Sequence, residues 1–362
     1  MAPLRVLIVG NFLSKIVGNR GVCEELAPRL RESGFSVITT SARKRRAERL
    51  VEMLLTCWKH RDSYDVAQVD VYSGPSFLWA ELVCWILRRL HKPYVLTLHG
   101  GALPNFARRE KRRVTNLLNS AAAVTVPSSY LLTQMTSYCK NLLLLPNALD
   151  LHQHRPGIRS PLQPKLIWLR AFHEIYNPAM AVRVLTHLKN EFPEIHLTMV
   201  GPVKDDLSLQ KVIATAKACG VESHLKVVGS VRKDQVPQCL EQADIFLNTS
   251  NFDNTPVSVL EAMASGLCVV STNVGGIPDL LKAEEEALLV PVNDDLAMAG
   301  AIRRLLGDAL LNRRIQAQAL AKVERFDWKV VLPQWQTLLK SVATVIPPQK
   351  AAQAIHISER VS

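Results

Sequence analysis

What this chain lacks narrows its chemistry before any motif is read. Its 362 residues include seven cysteines, an odd number, scattered and without a Cys-x-x-Cys pair. That excludes a disulfide framework or a zinc site of the usual spacing and fits a reducing compartment. Long apolar runs are missing. The most apolar stretch, Phe77 to Leu87, is shorter than a bilayer span and contains Glu81, so it predicts a buried helix. The apolar start Arg5-Val-Leu-Ile-Val-Gly10 is too short for the core of a secretory leader and ends in a glycine turn, so a cytoplasmic protein is expected. The loop from Gly10 through Gly18 and Gly21 does not have the G-x-G-x-x-G spacing of a dinucleotide fingerprint. No Asp-x-Asp pair stands at a strand end, and metal-independent chemistry is expected.

Acidic residues are also in short supply. Lys and Arg number 44 against 32 Asp and Glu, for a formal net charge of +12. The excess is uneven, with roughly +10 of it in residues 1–150. Two clusters carry much of it, Arg43 to Arg46 and Arg108 to Arg113, the latter interrupted by Glu110. Such clusters are read in three ways: solvated helix faces, a surface for anionic lipid headgroups or a lipid diphosphate, or a nucleic-acid patch. The last is the weakest, because aromatics, 6% of the chain, do not interleave with either cluster and no nucleic-acid motif accompanies them.

The length suits two domains rather than one core. Apolar, β-branched runs at Val6–Val9, Ser36–Thr40, Val66–Val71, Tyr94–Leu98, Ala123–Val126 and Leu142–Leu145 alternate with helical stretches at Val22–Glu32, Pro75–Leu90 and Arg109–Asn119. Strands alternating with helices predict a parallel sheet covered on both faces. A turn-rich stretch through Pro146, Pro156, Gly157, Pro161 and Pro164 interrupts the pattern. Alternation resumes with strands expected at Lys165–Leu169, Ile195–Val200, His224–Val228, Asp244–Leu247, Cys268–Ser271 and Ala287–Val290. The expected organisation is an α/β chain of two doubly wound Rossmann-like domains facing across a cleft. Residues 1–150 form the first domain and 151–164 a linker. Residues 165–327 form the second domain, 328–345 a helix returning to the first, and 346–362 a polar tail.

The most informative segment runs from Thr249 to Pro278. A strand leads into a polar loop carrying Asp253, then into a helix carrying Glu261, then an apolar strand and the pair Gly275-Gly276. A helix N-terminus offers unpaired amide donors that favour phosphate. Carboxylates accept hydrogen bonds from sugar hydroxyls. The combination predicts a site for a charged, hydroxyl-rich ligand.

From Ala243 to Pro278 the chain resembles the donor-binding signature of retaining glycosyltransferases of family four, which have the GT-B fold. The family's E-x7-E reads here as Asp253-x7-Glu261, followed by Ala262-Met-Ala-Ser-Gly266 and Val274-Gly-Gly-Ile-Pro278. Leu98-His-Gly-Gly101 resembles the family's H-x-G loop, Pro146-Asn-Ala-Leu-Asp150 its P-N-G-x-D motif, Met199-Val-Gly-Pro202 its V-G-x-G-P strand end, and Phe326-Asp-Trp328 its closing helix start. These motifs are collinear and span residues from about 5 to 345.

The resemblance implies that a sugar passes from a nucleoside-diphosphate donor to an acceptor with retention. In it, Glu261 holds the ribose, while Arg170 and the amides around Thr255 and Val257 hold the diphosphate. Asp253, Asn254 and His99 surround the hexose, with His99 and Asp253 as the candidate catalytic pair. Gly229, Ser230 and Val231 lie near the base, and the Gly18–Gly21 loop approaches the diphosphate or acceptor. No cofactor and no metal are implied, since the nucleotide sugar is itself the substrate. A lipid-linked or polysaccharide intermediate, reached at the inner face of a membrane, is the implied acceptor. The chain departs from the family pattern at three places. The first acid is an aspartate, the linker glycine is Ala148, and no lysine follows Arg170 at the expected spacing, where Tyr176 and Asn177 stand. A non-catalytic sugar-nucleotide-binding protein or a GT-B epimerase are the alternative readings.

Overall fold

The structure is a computed structural model that describes residues 3–14 and 21–344. Gly18 and the tail from 346 onward lie outside the described residues. The chain divides into two compact units, one formed by Met1–Pro146 with Val331–Ser362 and the other by Asn147–Val330.

In the first unit, β1 (Arg5–Val9), β2 (Ser36–Thr40), β3 (Val66–Val71), β4 (Tyr94–Leu98), β5 (Ala123–Val126) and β6 (Leu142–Leu144) form one sheet. Its order is β2-β1-β3-β4-β5-β6, and every pairing is parallel. The connections are α1 (Val22–Glu32), α2 (Arg46–Lys59), α3 (Phe77–Arg89), α4 (Leu103–Arg109), α5 (Lys111–Leu118) and α6 (Ser129–Met135). The sequence pattern predicts one helix over 109–119. The backbone instead breaks at Glu110, the shared boundary of α4 and α5. Strand side chains alternate between faces. Leu7, Val9, Ala67, Val69, Leu96 and Val124 pack on α2, α3 and α5, while Val6, Ile8, Val66 and Val95, which alternate with them, are fully buried too. A strand buried on both sides needs this continuous apolar composition.

In the second unit, β7 (Lys165–Leu169), β8 (His196–Val200), β9 (Leu225–Gly229), β10 (Ile245–Asn248), β11 (Cys268–Thr272) and β12 (Leu288–Val290) form a second parallel sheet. Its order is β12-β11-β10-β7-β8-β9. The strands send alternate residues to two cores. Leu166, Trp168, Ile245, Leu247, Cys268 and Val270 pack on one side, and Ile167, Leu169, Phe246 and Val269 on the other. The first core is closed by α7 (Pro178–Leu188), α8 (Asp206–Cys219) and α12 (Asp295–Gly307), the second by α9 (Val236–Glu241), α10 (Val257–Ala264) and α11 (Ile277–Leu280). Helix α13 (Ala309–Val323) contributes to both.

Residues 151–164, read from composition as a linker, are packed into this unit. Leu162 joins its core, and the Gln163 amide donates to Asp244 Oδ2 at 2.6 Å. The last helix, α14 (Trp328–Ala343), belongs to the first unit from Val331 onward. Val331, Trp335, Leu339 and Val342 form its buried stripe, at the spacing of one helix face. No helix among the described residues is long and apolar enough to cross a membrane.

Candidate functional site

The strand order of the second sheet locates its site. From the central pair β7 and β10, the chain proceeds outward through β8 and β9 on one side and through β11 and β12 on the other. Connections after these two neighbours leave in opposite directions and open a crevice at their carboxyl ends, the usual binding place in such sheets. Arg170 follows β7 directly, and Asp253 lies in the loop after β10. The two meet there, with Arg170 Nη2 donating to Asp253 Oδ2. The Asn254 amide donates to the other carboxylate oxygen, Oδ1, at 2.9 Å. Tyr176, at the place where the lysine is expected, stacks its ring 4.4 Å from the Arg170 guanidinium. At that position an aromatic face stands in place of a cation and packs on the Arg170 guanidinium.

Two glycines explain why this pair sits where it does. Gly275 has φ of 56°, and a Cβ there would overlap the Asp253 carbonyl oxygen. The Gly276 amide donates to that same oxygen at 2.9 Å. At Gly201 a Cβ would overlap the Arg170 carbonyl oxygen. The double glycine and the strand-end glycine therefore let backbone pass against backbone beneath each charged residue.

Helix α10 begins beside the pair, after Pro256 and with no side-chain cap. Its first amides are the orphan donors every helix start presents. Thr255 Oγ1, Ser258 Oγ and Arg170 Nε are buried without a hydrogen-bond partner among the described residues. Buried polar groups left unpaired cost about 1–3 kcal/mol each, so these three are open to a polar ligand or to water. One turn into the helix, Glu261 is 4% exposed and accepts from Lys233 Nζ. A carboxylate this buried needs such a partner. Lys233 opens the turn after Gly229, Ser230 and Val231, so this ion pair ties that loop to α10. Beyond it lies His154, whose Nδ1 is 2.9 Å from Ser265 Oγ. Burial, with the nearby Lys233 charge, lowers its pKa from 6.5 to about 4.

The structure therefore brings Arg170, Asp253, Asn254, Thr255, Val257 and Glu261 together, with the Gly229–Val231 loop attached through Lys233. Lys233 is the residue that sequence reasoning missed. It lies 63 residues beyond Arg170, far outside the spacing that the resemblance implies for a lysine, and only the fold carries it to Glu261. Two carboxylates and two cations leave the crevice balanced in charge. An arriving diphosphate would compete with Asp253 and Glu261 for Arg170 and Lys233.

His99 and Gly21 have separate surroundings in the first unit. His99 is 8% exposed. Its Nε2 donates to Asp70 Oδ1 at 2.9 Å, and its ring stacks on Tyr72 at 4.9 Å. Burial opposes ionisation of Asp70, but His99, Gln68 and Cys23 outweigh it and hold the carboxyl below its ordinary pKa. Gln68 Nε2 donates both to Asp70 Oδ1 and to Thr97 Oγ1 at 2.8 Å. Asp70 was missed as well, though a signal existed: in Val66-Ala-Gln-Val-Asp-Val71 polar residues recur at every second place of a strand with no exposed face. Gly10, Asn11, Asp70, Tyr72, Ser76 and Trp79 line a pocket at the reversal point of this sheet. Gly21 caps α1, its amide donating to Glu24 Oε2 at 3.0 Å.

Residues 155–322, which contain the whole crevice of the second unit, match the model of the glycosyl transferases group 1. Over 298 residues the chain is 24% identical to a phosphatidyl-myo-inositol mannosyltransferase of Mycobacterium leprae, covering 79% of this chain and 76% of the relative. Among solved structures, the sucrose-phosphate synthase of Thermosynechococcus elongatus superposes with a TM-score of 0.77 at 18% identity, covering 94% of this chain and 99% of that one. Anabaena HepE, solved in complex with UDP and glucose, gives a TM-score of 0.75 at 16% identity, covering 93% and 100%. These likenesses establish the fold as GT-B, and the stretch that matches the group 1 model includes Arg170, Asp253 and Glu261.

Proposed function

We propose that the protein transfers a hexosyl group, with retention, from a nucleoside-diphosphate sugar to an acceptor carried on a lipid or a growing polysaccharide. The observation that carries the reading is the crevice itself. Two charge-balanced ion pairs and three unpartnered buried polar atoms surround a helix start at the reversal point of a group 1 sheet. Glu261 would take the ribose hydroxyls. Arg170, joined by Lys233 and the first amides of α10, would hold the diphosphate and stabilise the charge that grows there as the glycosidic bond breaks. Asp253, released from Arg170, would accept from sugar hydroxyls. These cations take the neutralising role that a divalent ion has in other enzymes, and no cofactor is assigned. The HepE complex favours uridine as the first base to try, and the mannosyltransferase likeness favours a lipid acceptor.

The test has two stages. Calorimetry with UDP, GDP and ADP should show one of them binding, and Glu261→Ala should weaken that binding. Incubation of the matching nucleotide sugar with candidate lipid-linked acceptors should then release the nucleoside diphosphate, and NMR should show the donor's anomeric configuration kept in the product. Binding without release against every acceptor would favour a non-catalytic sugar-nucleotide-binding protein. Inversion at the anomeric carbon would overturn retention.

A further inference from the structure

The basic cluster most conspicuous in the sequence is partly committed within the fold. Arg113 is paired with Glu81 at 2.6 Å and with Glu110 at 3.2 Å, and Arg108 donates to Asn105 and Gln134. A different face of the first unit combines charge with apolar surface. On α2, Val51, Leu55 and Trp58 are 53%, 58% and 58% exposed, and on the adjoining α3, Leu78 and Trp85 are 47% and 51% exposed. The spacing of each set keeps it on one side of its helix. The two helices pack together, and Arg49 of α2 lies 5.2 Å from the Trp79 ring of α3, so both stripes belong to one adjoining pair of helices. Four of the six tryptophans are buried or half-buried, and the other two, Trp58 and Trp85, are both on this face.

Each exposed indole carries a guanidinium over its ring, Arg61 on Trp58 at 5.1 Å and Arg89 on Trp85 at 5.2 Å. Residues 43–62 hold seven Arg and Lys against two Glu and one Asp; Arg61 pairs with Asp62 at 3.7 Å on the surface, and Lys59 and Arg89 have no ion pair among the described residues. Indole rings settle at the headgroup level of a bilayer, and long cationic side chains reach past apolar surface to phosphate. Contiguous exposed apolar surface rimmed by charge marks a docking site.

We propose that the outer face of α2 and α3 docks the protein on anionic phospholipid, with Val51, Leu55, Trp58, Leu78 and Trp85 entering the interface and Lys59, Arg61, Arg88 and Arg89 meeting the phosphates. Charge decides the occupant. A second copy placed symmetrically on this face would set one basic rim against another, whereas an anionic bilayer complements it. The inner sides of the same helices, through Met53, Trp79 and Val83, wall the pocket at the first sheet's reversal point. This inference rests on the lipid-acceptor reading above and names the surface that would bring the enzyme to its acceptor.

The test is co-sedimentation of the full chain with vesicles of mixed phosphatidylcholine and phosphatidylglycerol, with phosphatidylcholine vesicles as the reference. Binding should need the anionic lipid, fall steeply with salt, and shift tryptophan emission to the blue. Trp58→Ser with Trp85→Ser should weaken it by about tenfold or more, and so should Lys59→Glu with Arg89→Glu. Arg109→Glu with Arg112→Glu should leave most of it in place. Far-ultraviolet circular dichroism and thermal melting should be native in all three variants, which shows that they fold, and nucleotide binding by calorimetry should be unchanged, which separates this inference from the donor assignment. Vesicle binding lost in the Arg109 and Arg112 variant but kept in the tryptophan variant would overturn the proposal. No binding to anionic vesicles would overturn it as well. A dimer in light scattering that the tryptophan variant dissolves would make a second copy the occupant and would also overturn it.

Discussion

At the scale of single residues, Glu261 and His154 make separable predictions. Glu261 is nearly buried and held by Lys233. On the proposed function, Glu261→Ala removes a charge-assisted acceptor for the ribose, which should cost roughly 1.5–3 kcal/mol, or about 10- to 150-fold in affinity. Circular dichroism should remain native while calorimetry shows the loss. Unchanged nucleotide affinity would remove Glu261 from the site.

His154 senses acid. Its folded pKa is about 4 and its ordinary value 6.5, because burial and then Lys233 disfavour the imidazolium. Between these values the unfolded chain binds more protons than the folded one, so stability rises with pH through this window. The stabilisation is complete above about pH 6.5 and is lost as pH falls toward 4. About 2.5 pKa units correspond to on the order of 3 kcal/mol. His154→Gln, which can still bond Ser265, should flatten that part of the pH dependence in denaturant titrations. An unchanged acid limb would show that other groups set it.

At the scale of elements, the loops after β7 and β10 are positioned by glycines rather than by their own charges. Gly275→Ala forces a methyl into the Asp253 backbone at positive φ. A cost of about 1–3 kcal/mol is expected, together with weaker nucleotide binding, because the loop that carries Asp253 must move. Gly300, inside α12, provides the contrast. A Cβ there meets nothing within 4 Å, and Gly300→Ala should stabilise by about 0.5–1 kcal/mol through helix propensity. Melting temperatures of the two variants should therefore move in opposite directions. If both moved alike, the close approach at Gly275 would not be what constrains the loop.

At the scale of the whole molecule, the groups proposed for the nucleotide and diphosphate, Arg170, Lys233 and Glu261, all lie in the second unit. A nucleotide that binds only the folded state at 100 times its dissociation constant stabilises it by about 2.7 kcal/mol. Thermal scans should show that gain with and without chelator, since Arg170 and Lys233 are the cations assigned to the diphosphate. Stabilisation that disappears with chelator would assign the charge to a metal instead.

Much of this was legible in the sequence. Strands such as Tyr94–Leu98 and Lys165–Leu169 could be read to the residue, because a strand buried on both faces requires an unbroken β-branched and apolar run. The Asp253 and Glu261 segment was legible because its chemistry is local, with a strand end, a loop and a helix start following one another in the chain. Partnerships across long sequence separations were not. Lys233 reaches Glu261 over 28 residues, Arg170 reaches Asp253 over 83, and His99 reaches Asp70 over 29. Periodicity reports which face of an element is apolar. It does not report which strand lies beside which, and the outward order from β7 and β10 is what sets Arg170 against Asp253. The sequence also weighted the basic residues by their number, which drew attention to Arg108–Arg113. Only the tertiary structure showed Arg113 spent on Glu81 and the two exposed tryptophans, Trp58 and Trp85, on adjoining helices. Exposure and ion pairing are properties of packed neighbours, and neighbours are fixed only when the chain has folded.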